Sequence, residues 1–135
     1  MNKLEASNFF ANLRNKILWD NALGADVIWN NICESDNDNL TDEQILSITN
    51  LDKVSKQIQH DLGFQNLLES YYQNKEIMED LFEDWRVLPH DSNQMKEKRI
   101  LFLKYRSKVK DLANQGYEMV AILAIANGYL PSNME

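Results

Sequence analysis

A single cysteine, Cys33, denies this chain an internal disulfide framework and fits a reducing compartment. Four glycines and two prolines are too few for a fold built on tight hairpins, and far too few for a low-complexity linker. The two histidines, His60 and His90, stand far apart with no thiol beside them and no HxxxH spacing, so no metal is expected. Asp36-x-Asp38 opens like a calcium loop. Leu40, Thr41 and Ser47 then occupy the fifth, sixth and twelfth places, where a ligand, a glycine and a glutamate are required. No phosphate loop, GxSxG or HExxH motif occurs. Cys33 has no local histidine partner and reads as a small buried hydrophobe. Neither an enzyme nor a bound cofactor is expected. Long apolar runs are missing too. The longest, Val120–Ala126, falls far short of the roughly 20 residues that span a bilayer. Met1–Lys16 lacks the continuous apolar stretch of a secretory leader. The expectation is a cytoplasmic protein with no membrane partner, and the frequent Asn, Ile and Lys hint at a bacterial or phage source.

What the chain does contain is enough apolar material for a core: 44% of its 135 residues are hydrophobic and 10% aromatic. That length is one domain by the usual prior of about 100–200 residues, here 1–135. Apolar residues recur at helical spacing throughout. Ala6, Phe9, Phe10, Leu13 and Ile17 mark a first helix; Ala25, Ile28, Trp29 and Ile32 a second. Residues 34–39 have no apolar member and read as a solvated loop. Thr41-Asp42-Glu43-Gln44 is a capping box with acids at the positive end of the dipole, opening a short helix to about Thr49. Asp52 can cap the next, carrying Val54, Ile58 and Leu62 and stopped by Gly63.

The longest helix is placed at 65–85, with Leu67, Leu68, Tyr71, Met78, Leu81, Phe82 and Trp85 as its stripe and Pro89 as its stop. Ser92 can cap a sixth helix, lined by Met95, Phe102, Tyr105, Val109 and Leu112 and closed by Gly116. A last one, Tyr117–Ala126, is apolar nearly all round and should be the most buried. Asn127-Gly128 then supplies a left-handed stop, with Pro131 beyond. No segment alternates apolar and polar residues for long, so strands are not expected. The class is all-α: a single compact bundle of six or seven helices.

Charge is sorted along this pattern. Glu76, Glu79, Asp80, Glu83 and Asp84 form a run with no cation among them. Residues 96–110 carry Lys96, Lys98, Arg99, Lys104, Arg106, Lys108 and Lys110 against Glu97 alone, a net of +6 in a chain of net −7. Like charges at i, i+4 cost an isolated helix a few tenths of a kcal/mol each, so helix stability does not account for the acidic cluster. Three readings remain open: a patch shaped for a basic partner, a solvated face, or neutralisation by the basic helix folding back across Pro89 as a helical hairpin. In the hairpin, Glu83 and Asp84 would approach Lys96, Lys98 or Arg99.

Phe102 and Tyr105 interleave with the cations like a stacking platform, but they lie on the apolar stripe and read as core. The acidic balance, with a pI near 4.8, also argues against direct nucleic-acid binding. Trp19, Trp29 and Trp85 read as core anchors. The sequence therefore points to a protein-binding protein of the immunity, antitoxin or anti-defence kind. As a toxin inhibitor it would lay Glu76, Glu79, Asp80, Glu83 and Asp84 over the basic cleft of a nuclease or similar partner, with Asp36 and Asp38 as secondary contacts. The runner-up is a structural subunit or adaptor of a nucleoprotein complex, touching phosphate through Lys104, Arg106, Lys108 and Lys110.

Overall fold

The periodicity of the sequence is realised as five helices in a computed structural model that describes residues 1–16 and 18–129. In order they are α1 (Lys3–Arg14), α2 (Ala25–Cys33), α3 (Asp42–Gln59), α4 (Leu62–Arg86) and α5 (Asn93–Ala126). Among the described residues the only β pairing is an isolated bridge between Asn2 and Asn39. The all-α class stands, but six or seven helices is a miscount. Two expected breaks are helix interior. Asp52 does not cap; it lies inside α3 and pairs with Lys56 one turn on, at 3.0 Å. Gly116 does not stop α5, which runs through it with the residue buried. Gly63 likewise sits in the first turn of α4, where Asp61 caps by accepting from the Phe64 amide at 2.9 Å.

The described residues cluster into two compact units: Met1–Phe64 with the chain from Tyr117 onward, and Gln65–Gly116. The first has a closed core. Phe10 and Leu13 of α1, Ile32 of α2 and Ile48, Leu51, Val54 and Ile58 of α3 are buried, as are Trp19, Phe64, Val120 and Ala124. Full burial of the aliphatic and phenylalanine side chains larger than alanine is worth about 1.5–3 kcal/mol each. Trp19 and Phe64 meet at 6.1 Å between ring centroids, and Phe10 meets Trp29 at 5.5 Å. Thr41 and Gln44 close the expected capping box, at 3.2 and 2.9 Å.

An unforeseen clasp ties the 34–41 loop to the N-terminus. The Lys3 amide donates to the Asp38 carbonyl at 3.0 Å and the Leu40 amide to that of Met1 at 3.3 Å. The C-terminal end is held by Tyr129, whose hydroxyl donates to the Leu23 carbonyl at 2.9 Å; its burial pushes the phenol's pKa up. Gly128, at φ 84°, makes the expected left-handed stop. Ile17 and Pro131 lie outside the described residues. The expectation that 117–126 would be the most buried element fails: Ile122 is 66% and Ile125 49% exposed.

The second unit is a helical hairpin. Its turn is built by Pro89, whose carbonyl accepts from the Ser92 amide, and by Asp91 in a left-handed conformation at φ 62°. Ser92 then caps α5, its hydroxyl accepting from the Met95 amide at 3.1 Å. Phe102 packs against Phe82 and Trp85, at 5.7 and 5.5 Å between centroids. Burial in this unit is thin. Only Tyr71 and Met95 among its large side chains are fully buried, while Leu67, Met78, Leu81, Trp85 and Phe102 are half-buried. Two helices can cover only one face of each other.

Candidate protein-binding surface

The inward stripe of α4 fixes where its acids go. With Trp85 packed on Phe102 of α5, and Tyr71 and Met78 on the same side of α4 at seven-residue spacing, the residues roughly half a turn away face water. Glu76, Glu79, Asp80, Glu83 and Asp84 are all exposed. The hairpin neutralises little of this. Asp84 is 3.6 Å from Lys98, an exposed pair worth about 0–1 kcal/mol. Glu83 turns to Arg86 on its own helix, at 2.9 Å, rather than to α5. Among the described residues Glu76, Glu79 and Asp80 have no cationic partner.

Beside these acids lies a feature that the sequence did not single out. Glu79, Asp80 and Glu83 edge a groove of about 540 Å³ whose floor is Met78, Phe82 and Phe102. Phe82 reads as core from its spacing, yet it is 41% exposed because it sits at the rim of the stripe. A second recess of about 420 Å³ at the tip of the hairpin is lined by Phe82, Trp85, Leu88 and Met95 together with Arg86 and Arg99. Exposed apolar side chains continue along both helices: Tyr72 and Ile77 on α4, Ile100, Leu101 and Leu103 on α5. Their sequence signal was available. Each is an apolar residue off the inward stripe.

The basic run is equally outward. Lys104, Arg106, Lys108 and Lys110 are exposed and, among the described residues, make no ion pair. The Lys108 ammonium lies 4.8 Å from the Tyr105 ring centroid, a cation–π contact. Phe102 and Tyr105 are half-buried, and the Phe102 ring is engaged by two others, so it offers no open face for a base.

The secondary candidates, Asp36 and Asp38, belong to the other compact unit, exposed on the clasped loop. Among the described residues no three His, Cys, Asp or Glu side chains converge to hold a metal ion. Cys33 is exposed at the end of α2, correcting its reading as a buried hydrophobe. Trp19 is the buried anchor expected, whereas Trp29 and Trp85 are only half-buried.

The first unit carries its own polar recess, about 500 Å³, lined by Ser47, Asn50, Lys53 and Tyr129 among others. Its one acidic hydroxyl is committed, since Tyr129 already donates to Leu23. No helix among the described residues is long and apolar enough to cross a membrane. No protein-family model, curated protein or solved structure matches the chain.

Proposed function

We propose that this protein works by binding another protein, using the acidic outer face of α4 to cover a basic surface. The most concrete form is an inhibitor of the immunity, antitoxin or anti-defence kind. It occludes the nucleic-acid cleft of a nuclease or comparable partner. One observation carries the reading: all five clustered acids are exposed, and two of them, Glu79 and Asp80, edge an apolar groove with no cationic partner among the described residues. Exposed charge steers encounter but is screened by salt, while an apolar floor supplies affinity that salt does not remove. Acids flanking a half-exposed phenylalanine combine the two. The partner's complement is a basic rim around an apolar anchor.

The second reading has its own observation, the exposed cations Lys104, Arg106, Lys108 and Lys110 of α5, which make no ion pair among the described residues. On that reading they contact phosphate, and affinity falls steeply with salt. Capture from the native host with the full chain as bait, at low and high salt, separates the two. The first reading expects a basic protein that is lost when Glu76, Asp80 and Glu83 are together changed to Lys, and kept when Lys104 and Arg106 are changed to Gln. The reverse pattern, with nuclease treatment of the lysate abolishing capture, overturns it in favour of the adaptor.

A further inference from the structure

We infer that the first compact unit holds a separate site, a recess between α1 and α3 that takes a small carboxylate with a short apolar tail. This goes beyond the reading above and does not depend on it, since every residue involved lies within Met1–Phe64. The recess has a volume of about 230 Å³. Phe9 and Leu13 line it from α1, and Asp52, Ser55 and Lys56 from α3, each set three or four residues apart and so on one face of its helix. Lys16 and Trp19 close it from the segment after α1.

Two of these side chains carry polar atoms that the fold leaves unsatisfied. The Trp19 indole nitrogen and the Ser55 hydroxyl have no hydrogen-bond partner among the described residues, although the two residues are only 1% and 2% exposed. A buried indole N–H usually finds an acceptor, and a buried polar group without a partner is destabilising. Ser55 also has a local remedy that it does not take. Two other hydroxyls of α3, on Ser47 and Thr49, donate to carbonyls one turn back, at 3.1 and 2.8 Å. Among the described residues three buried side-chain atoms lack a partner, and two of the three belong to side chains lining this one recess. Such groups call for an explanation in function rather than in packing.

The donors and the charge select the ligand. An indole nitrogen only donates, and a hydroxyl can donate as well, so a group that satisfies both presents an acceptor. Lys56 is matched by Asp52 at 3.0 Å, whereas Lys16 makes no ion pair among the described residues. The lining therefore keeps one excess positive charge in a chain of net −7. A carboxylate meets both requirements, with one oxygen for each donor. Phe9 and Leu13 offer its tail an apolar wall, and a volume equal to the share of about seven water molecules keeps that tail short. Both polar atoms are closed to water in this structure, so the ligand enters by displacing the rim. Lys16 is its movable member, exposed and with its ammonium 5.0 Å from the Trp19 ring centroid.

Butyrate titrated into the purified full chain tests this, beside butyramide and beside sodium chloride at equal ionic strength. The readout is the Trp19 indole N–H resonance, assigned by elimination with Trp29→Phe and Trp85→Phe. Butyrate should move it saturably, with half-saturation below about 50 mM for a ligand this small. Butyramide and chloride should leave it in place. No movement with butyrate, or equal movement with either control, overturns the proposal. Ser55→Ala removes an unpaired buried hydroxyl, so it should keep or raise the urea midpoint while weakening butyrate about tenfold or more. Undiminished binding by that variant refutes the site. A sharp loss of stability means that the hydroxyl is already satisfied in the free protein, and the premise falls. Lys16→Gln should weaken butyrate several-fold and leave the urea midpoint unchanged; binding indifferent to this change overturns the choice of an anion. Should a variant not fold, the titration of the native chain still decides.

Discussion

Lys98 reaches Asp84 across the α4–α5 turn at 3.6 Å, and this is the one ion pair joining the acidic run to the basic run among the described residues. Both side chains are substantially exposed, 41% and 61%, so water screens them. A double-mutant cycle with Asp84→Ala and Lys98→Ala should give a coupling of about 0–1 kcal/mol. A much larger value would mean that the pair, rather than the aromatic contacts of Phe102, sets the hairpin.

Phe64 and Phe82 separate core from surface. Phe64 is wholly buried against Trp19, so Phe64→Ala should cost about 3–5 kcal/mol in urea unfolding. Phe82, half out of the hairpin on the groove floor, should cost distinctly less when cut to Ala, and should weaken binding instead. Equal losses of stability would place Phe82 in the core and remove the groove from consideration.

The box at the start of α3 gives a local prediction. Thr41→Ala removes the acceptor for the Gln44 amide and should cost about 1 kcal/mol. Thr41→Asp should restore most of it, because a carboxylate there can accept the same bond and favours the positive end of the helix.

Asp20 is a pH handle. Burial raises the pKa of its carboxyl above the ordinary 3.8, Arg14 opposes the shift from 3.8 Å, and Asp26 adds to it. An acid whose pKa is higher when folded ionises first in the unfolded chain. Stability is therefore lost as pH rises from 3.8 through the folded value, and the loss is complete above it. Its buried Oδ1 has no hydrogen-bond partner among the described residues, which fits that sign. Asp20→Asn should gain on the parent between about pH 4 and about pH 7, read as the difference in urea midpoint. A difference that does not change with pH would clear Asp20 of the role.

Cys33, exposed at the end of α2, should react with an aromatic disulfide reagent in the native protein at close to its rate in urea. A strong slowing in the folded state would contradict its exposure.

Much of this fold was legible from short-range signals. Thr41 with Gln44, Ser92, Pro89 and Asn127-Gly128 act within three or four residues, and each marks a boundary where the chain has one. Asp52 and Gly116 misled because their local meaning is ambiguous. An aspartate caps or pairs with a lysine one turn on, and a glycine ends a helix or lets it pass through a crowded place; packing chooses. The candidate surface was half legible. The period that buries Tyr71, Met78 and Trp85 also turns Glu76, Asp80 and Glu83 outward. The groove floor was not, since whether Phe82 is core or rim depends on a second helix that shows only half its width. Nor was the Asn2–Asn39 bridge, which joins residues 37 apart through backbone atoms alone.

That bridge has a consequence for how the protein can change over time. The 34–41 loop is held at Asp38 and Leu40 by peptide groups, which every substitution except proline leaves in place. Asp36 and Asp38 can therefore mutate freely without loosening the loop. The same clasp is vulnerable to shortening: removing Met1 and Asn2 takes away the Leu40 acceptor and the α1 cap together. Position 38 is open to drift in its side chain, while the first two residues are protected for reasons their side chains only partly express.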